Sequence, residues 1–383
     1  AAVAGALALA ALVQVSGTAF GVPPPGRLPW RGTPWYLNSR PNRAPWPHRE
    51  ILSAVARDAG GAAATVSVVP NHERFSVANF RYYARRDGLP LRFVRAWDDA
   101  PLGVDYMILK SGDQGPAWTV ERARRVVDRL ARDPALARVF PVIAELPLPD
   151  GSVAVVRGRR VDALVDAPTP ALARAVETAL RSRVGEVARD VEGLEIEIEH
   201  DAALHRGVLR RVVVAARAAT LGELRRREAA TLRVHDIELV LEDVLVNPYS
   251  AWEARRLEPL DVGRLRLTAA TIRADDLRRF LAGVKAFRSA DVRLANGAVA
   301  VHLAQPGPDV WARVRLVPAA ARPFALAVED VRLGGAPVPS PLIDWVVRHY
   351  DPTARLASRL PFPVEVGPIV IGDDAVRVGA APR

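Results

Sequence analysis

The side chains most often used for catalysis or metal binding are scattered in this chain. The seven histidines lie at positions 48, 72, 200, 205, 235, 302 and 349, and cysteine is absent. His200 and His205 are separated by four residues, but no neighbouring ligands complete a zinc site around them. The absence of cysteine excludes disulfides, thiolate nucleophiles and cysteine-bound metals together. The sequence therefore predicts neither a metal nor a cofactor.

The carboxylates show no pattern of a catalytic pair either. Adjacent aspartates occur at 98–99, 275–276 and 373–374. On a strand or at a turn such neighbours point apart, which is typical of helix caps and solvated loops rather than of a general acid and base. The GxSxG, Walker A and GxGxxG motifs are all missing. We therefore predict a protein without catalytic residues.

The charge favours an anionic partner. The chain has 53 basic and 43 acidic residues and a net charge of +10. Phospholipid headgroups and nucleic acid are the two candidates, and an arginine-rich composition can also reflect genomic base composition. The arginine groups at 225–227, 255–256 and 278–279 are dispersed and lack the aromatic neighbours that stack on bases. We predict a phospholipid, preferably an anionic one, and keep nucleic acid as the lesser alternative.

The N-terminal 46 residues suggest a membrane anchor. Residues 1–20 contain no charge and are long enough to cross a bilayer, which predicts a transmembrane helix. A helix buried in a soluble domain is the alternative. Residues 21–46 form a linker rich in proline and tryptophan, and amphipathic aromatics favour the membrane interface. We therefore predict a membrane-anchored protein on the extracytoplasmic side.

The rest of the chain changes pattern once. Residues 47–160 alternate helical and strand patterns, which predicts a small α/β domain with a largely parallel sheet. A polar hinge follows at 161–169. Residues 170–383 then begin with an amphipathic helix and continue with about nine strands, two of them joined at Asn296–Gly297, a typical hairpin turn. This order predicts an α+β domain with an antiparallel sheet.

Alternation along these strands raises the question of what their apolar faces cover. In 194–199, leucine and isoleucine alternate with glutamate, which predicts one dry and one wet face. Only two or three helices are available to cover so many strands. The uncovered remainder could hold acyl chains, whose burial contributes about 0.8 kcal/mol per methylene. The alternative is that sheet and helices close on each other as an ordinary core.

Two parts of the chain resemble known families. The runs VVPNHERFSVANFRYYARRDGLP (68–90), DYMILKSGDQGP (105–116) and ELPLPDGSVAVVRGR (145–159) resemble the extracytoplasmic C-terminal domain of GT-C membrane glycosyltransferases, the dolichyl-phosphate-mannose mannosyltransferase-like group. This resemblance covers roughly residues 1–160 and implies an extracytoplasmic location, but it carries over no catalytic residue. The corresponding alternative function is a non-catalytic fragment of such a transferase.

The second resemblance covers roughly 170–380. The runs GVLRRVVVAARAATLGEL (207–224), HDIELVLEDVLV (235–246), GRLRLTAATIRADDLRRFL (263–281) and RLPFPVEVGPIVIGDDAVRVGA (359–380) resemble the LmeA-like phospholipid-binding family. The resemblance implies phospholipid binding in the periplasm or cell envelope. It also implies a long curved antiparallel sheet wrapped on amphipathic helices, similar to tubular lipid-binding domains.

We predict that the lipid lies between this sheet and the apolar stripes of two helices. A short segment near residue 360 would close one end. Each stripe could instead be plain core. The predicted lipid-binding residues are Leu277, Phe280, Leu281, Val284, Leu342, Trp345, Val346, Leu360 and Phe362.

Overall fold

The computed structural model describes residues 2–20, 44–94, 102–160, 165–222, 230–283, 290–303, 309–319, 322–350 and 364–379. The chain divides into two compact units. The first comprises Ala1–Pro47 and Pro147–Ser152, and the second comprises His48–Leu146 and Val153–Arg383.

The first unit contains helix α1 (Ala2–Phe20). Leu9, Leu12 and Val15 of this helix are exposed. Within the described ranges, no helix combines the length and the hydrophobicity needed to cross a bilayer. The transmembrane helix predicted over residues 1–20 is therefore not supported.

The second unit contains eight α-helices, one short 3₁₀ helix (Ala202–Arg206) and eighteen strands within the described residues. The helices are α2 (His48–Asp58), α3 (Val77–Arg86), α4 (Ala117–Arg132), α5 (Pro134–Val139), α6 (Thr169–Val187), α7 (Pro248–Ala254), α8 (Ala274–Gly283) and α9 (Ser340–Tyr350). The strands are β1 (Ala64–Val68), β2 (Leu91–Val94), β3 (Tyr106–Lys110), β4 (Val142–Pro147), β5 (Val153–Gly158), β6 (Ala188–Glu192), β7 (Glu195–Glu199), β8 (Val208–Gly222), β9 (Thr231–Val246), β10 (Pro259–Arg273), β11 (Ala290–Ala295), β12 (Ala298–Leu303), β13 (Val310–Ala319), β14 (Arg322–Leu333), β15 (Ala336–Pro337), β16 (Val364–Val366), β17 (Ile369–Ile371) and β18 (Ala375–Val378).

The first sheet has the order β2-β1-β3-β5-β4. Strand β1 pairs in parallel with β2 and β3, whereas β3 and β5 are antiparallel. The sheet is thus mixed, and the expectation of a largely parallel sheet is only half met. The physical reason is the short turn between β4 and β5, which returns the chain directly instead of through a crossover helix.

Helix α4 covers this sheet with a stripe at helical spacing. Ala123, Val126 and Leu130 of α4 are buried in a cluster with Met107 of β3. Leu260 of β10 lies in the same cluster, so the first sheet and the long strands that follow share one hydrophobic core. The hinge predicted at 161–169 falls partly outside the described residues and stays a prediction.

The second sheet has the order β17-β18-β10-β9-β8-β6, with β16 on β10 and β7 on β8. Helices α6 and α7 lie on it. Leu172 and Val176, one turn apart on α6, are buried with Leu209 and Val212 of β8. The alternation predicted for residues 194–199 is present in β7, where isoleucines are partly buried and glutamates exposed.

The third sheet has the order β11-β12-β13-β14-β15, and every neighbouring pair is antiparallel. Its first hairpin turns at Asn296 and Gly297, whose φ angles of 52° and 72° suit a two-residue turn. We predicted one long sheet for residues 170–383. The structure instead has two sheets, because the chain leaves the second sheet through α8 before the third begins. The second sheet is antiparallel except for the parallel pair β10 and β16, and the third is antiparallel throughout.

Candidate functional site

The third sheet has one face made only of aliphatic side chains. Cross-strand pairing places these residues opposite one another in rows, because directly paired residues of antiparallel strands project to the same side. We call this surface the apolar face. Its members are Val292, Leu294, Val299, Val301, Val310, Ala312, Val314, Leu316, Leu326, Val328, Val331 and Leu333.

The opposite face of the same sheet is polar. Arg313 pairs with Asp330, and His302 pairs with Trp311 across the strands. The rings of His302 and Trp311 are stacked with centroids 3.9 Å apart. Arg315 binds Glu329 at 2.9 Å on the sheet's neighbouring strands. A sheet with these two faces needs a cover on one side only.

The apolar face is covered at one end. Leu294 is buried with Ile371 and Val376, and Val299 and Leu316 pack against that cluster. Cover decreases along this row toward β14, because Val314 and Val328, which continue the row of Leu294 and Val299, are only partly buried. In the next row Val292 of β11 is still buried. At the far end Leu333 is 48% exposed. The apolar face is therefore closed by β17 and β18 at one end and open at the other.

Helix α8 supplies the first group of predicted lipid-binding residues. Leu277 packs against the cluster formed by Leu294, Ile371 and Val376, which agrees with its predicted orientation toward the sheets. Phe280 and Leu281 are partly buried. Val284 lies outside the described residues.

Helix α9 supplies the second group and packs against β14. Leu342 is 52% exposed and Trp345 is 47% exposed. The expected burial of this stripe against the sheet is thus only partial. The side chain of Val346, together with Leu360 and Phe362, lies outside what the structure describes.

A second apolar surface, with only partial cover, was missed from the sequence; its Val214 packs against the cluster beneath α6. Residues at the same level of β7, β8, β9, β10 and β16 form one cross-strand row, and all of them are only partly buried. The row consists of Ile196, Val214, Leu239, Leu267 and Val366. Each residue belongs to an alternating run in the sequence, but only the register shows that the runs align.

Charged cavities lie beside the closed end of the apolar face. One of 650 Å³ is bordered by Arg233, Asp276 and Arg279, and one of 670 Å³ by Asp236, Arg278 and Arg377. Arg273 and Asp275 line both. Ile272 and Ala274, the neighbours of Arg273 in sequence, pack against the Leu294 cluster, so this rim borders the apolar face.

Most charges of the rim are paired. Asp276 is buried and accepts hydrogen bonds from Arg279 at 2.5 Å, and it contacts His235 Nε2 at 2.9 Å. A hydrogen bond from Arg377 lowers the pKa of Asp374. Within the described ranges, Arg273 makes no ion pair. Its exposed guanidinium is therefore available to an anion.

The histidines and carboxylates form no metal site in the part of the chain that the structure describes. His205 is used structurally: its Nε2 lies 2.9 Å from the Thr169 hydroxyl and its Nδ1 lies 2.9 Å from the Val165 carbonyl. The four-residue separation of His200 and His205 could have suggested a pair of metal ligands, but these hydrogen bonds give His205 a structural role.

An open aliphatic sheet face beside a charged rim is the arrangement of a protein that binds an amphiphile. The comparison with protein families agrees with this class. Residues 169–381, more than half of the chain, match the family of LmeA-like phospholipid-binding proteins, and the chain belongs to that family. No curated protein and no solved structure matches the chain. The glycosyltransferase resemblance of residues 1–160 is not supported by these comparisons.

Proposed function

We propose that this protein binds a phospholipid whose acyl chains lie on the apolar face of the third sheet. The observation that carries the proposal is the incomplete cover of that face, where aliphatic side chains of β12, β13 and β14 are only partly buried. Family membership supports the same ligand class. A protein surface rarely keeps such a patch in water unless something binds it.

The length of the partly covered row on the second sheet suits an acyl chain. Neighbouring strands are about 4.8 Å apart, so the row from Ile196 to Val366 extends roughly 19 Å across five strands. One leaflet of a bilayer has a hydrocarbon thickness of about 15 Å. Each methylene moved from water onto such a surface contributes about 0.8 kcal/mol.

The headgroup would lie at the rim, with its phosphate against Arg273. A guanidinium presents a fork of donors that matches phosphate oxygens. Aspartates alternate with arginines around both cavities, so the rim offers partners to a cationic headgroup amine as well. The preference for anionic headgroups predicted from net charge therefore rests on the charge of the whole chain rather than on this rim.

Native mass spectrometry of the purified chain, followed by extraction and identification of the lipid, tests the proposal. We expect a bound phospholipid, or its uptake when lipid-free protein meets phospholipid vesicles. Arg273→Gln should weaken retention, whereas Arg293→Gln, on the polar face of the third sheet, should not. A lipid-free protein that takes up no phospholipid would refute the proposal.

We further propose an extracytoplasmic location. It is supported by Trp30, Trp35 and Trp46, a residue type favoured at membrane interfaces. Protease added to intact cells with a permeabilised outer envelope should digest the protein. Protection until the inner membrane is broken would contradict the proposed location.

A further inference from the structure

Helix α4 carries a line of arginines that the hydrophobic core does not use. Its buried side consists of Thr119, Ala123, Val126 and Leu130. A neighbouring side carries one tryptophan and four arginines at successive spacings of four and three residues, which places them in one row along the helix. We call this row the arginine stripe. It consists of Trp118, Arg122, Arg125, Arg129 and Arg132.

The two ends of the stripe are strongly exposed. Trp118 is 73% exposed and the side chain of Arg132 is 80% exposed. An indole ring so exposed has a large apolar area in water and a polar N–H at its edge, a combination that favours a membrane interface. Residues 117–132 lie outside the part of the chain that matches the lipid-binding family. Family membership therefore assigns no role to this surface.

The stripe borders two cavities, each lined by four arginines. One of 560 Å³ includes Arg125, Arg129 and Arg132, and one of 460 Å³ includes Arg183 and Arg255. Both cavities share Arg129 and Arg256. Six arginines face four carboxylates there, so the lining is net positive.

The carboxylates of this lining are already paired. Glu258 binds Arg129, and Asp133 binds Arg256. Asp128 lies 3.3 Å from Arg132, and Glu186 lies 2.5 Å from Arg183.

Arg125 and Arg255 therefore have no carboxylate within ion-pair distance among the described residues. Arg255 lies 5.1 Å above the ring of Trp252 instead. No described carboxylate of this surface neutralises the charges of these two guanidinium groups. An anionic partner would neutralise them.

We propose that the arginine stripe and its cavities dock on the surface of an anionic phospholipid membrane. The arginines would face lipid phosphates while Trp118 enters the headgroup layer. A single aromatic residue on the stripe provides no platform for successive bases, which favours a membrane over nucleic acid. This surface is separate from the apolar face. A substitution can therefore weaken membrane docking without changing lipid retention, and the reverse.

Vesicle co-sedimentation of the full chain tests the proposal. The vesicles contain either phosphatidylcholine alone or phosphatidylcholine mixed with phosphatidylglycerol. The test variant is Arg125→Glu with Arg132→Glu. The control is Arg293→Glu with Arg332→Glu, which makes the same change in net charge on exposed side chains of the third sheet. Circular dichroism confirms that both variants fold.

We expect the wild type to bind the phosphatidylglycerol vesicles and the test variant to bind them at least about thirtyfold more weakly, because two arginines are lost and two negative charges are added. Each arginine near an anionic surface contributes roughly a fivefold factor. The control should bind about as well as the wild type, and lipid retained from purification should be the same in all three proteins.

Three results would overturn the proposal. The first is equal binding of wild type to both vesicle types. The second is an equal loss in test and control variants, because then only the net charge matters. The third is an unchanged vesicle affinity of the test variant together with lost binding to a single-stranded oligonucleotide, which would assign the stripe to nucleic acid.

Discussion

The second and third sheets are built from similar alternating strands but differ in what covers them. On the second sheet, α6 and α7 lie over β8, and Leu209 and Val212 are no more than 2% exposed. On the third sheet, Val314 and Val328 occupy equivalent inward positions and remain partly exposed. Aliphatic alternation thus produces a closed core beneath α6 on the second sheet and a more open surface around Val314 and Val328 on the third. Along the row from Ile196 to Val366 the second sheet has only partial cover.

This difference shows that an amphipathic strand is not necessarily buried. Alternation decides which face of a strand is apolar, whereas the helices decide whether that face becomes core. Short α9 leaves Leu342 and Trp345 about half exposed beside β14. The lipid-binding surface that we propose is therefore a sheet face that the helices cover incompletely.

The largest effect should come from the covered sheet. Leu209→Ala removes a side chain that is 1% exposed inside the α6 cluster. We expect a loss of about 2–5 kcal/mol in the free energy of unfolding, because transfer and cavity costs add. Urea denaturation of the lipid-free protein measures it. A loss below about 1 kcal/mol would show that this core is as open as the third sheet.

The same substitution in both sheets should give opposite results. Val212→Thr places a hydroxyl in the covered core and should cost about 1–3 kcal/mol of stability with lipid retention unchanged. Val314→Thr places it on the apolar face, where water reaches it in the lipid-free protein.

The second variant should therefore keep its stability and retain phospholipid roughly tenfold less tightly, because the hydroxyl loses its water under an acyl chain. Denaturation of lipid-free protein and lipid exchange with vesicles measure the two quantities. If both variants lose stability alone, the third sheet is an ordinary core.

A smaller effect is expected in α9. Trp345→Ala should cost about 1 kcal/mol, well below the roughly 3–5 kcal/mol of a fully buried aromatic, because the side chain is 47% exposed. Lipid retention should fall more clearly than stability. Thermal unfolding with and without lipid separates the two. A full core-sized loss would mean that α9 closes the sheet.

The smallest expected effect is a pH dependence of the unfolding free energy that comes from the buried carboxyl group of Glu258. Glu258 is 2% exposed, and burial raises its pKa although Arg129 and a hydrogen bond from Asn247 act in the opposite direction. A raised pKa means that the folded chain holds this proton more tightly than the unfolded chain does. Its contribution to stability is thus fully present below pH 4.5 and is lost as the pH rises through the folded pKa.

Glu258→Gln should remove this dependence. Comparing unfolding free energies of wild type and variant across the acid range, we expect the wild type to lose stability relative to the variant as the pH rises. The opposite trend would mean that the ion pair with Arg129 outweighs burial.

Much of the fold could be predicted from local patterns. Alternation and hairpin chemistry located the long strands, and the i+4 spacing of Leu172 and Val176 located α6 and its buried side. Helix α7 was missed, because PYSAWEA after Asn247 has no long apolar stripe. Its formation depends on Asn247, which accepts hydrogen bonds from the first backbone amides of the helix.

The site was less predictable because it depends on long-range register. Leu267 and Val366 are 99 positions apart, yet they share a row with Ile196 through parallel and antiparallel pairing. Nothing in a local run reveals such a row, nor which rows a helix covers. The sequence identified Leu277 and Trp345 as members of apolar stripes, but their unequal burial follows from packing.

A phospholipid with a photoreactive group on its acyl chain tests the central claim most directly. After exchange into the protein and irradiation, mass spectrometry of the digested chain locates the crosslinks. We expect crosslinks concentrated on the apolar face between Val292 and Leu333 and on α9. Crosslinks confined to residues away from these surfaces, or none above the level of a lipid without affinity, would contradict it.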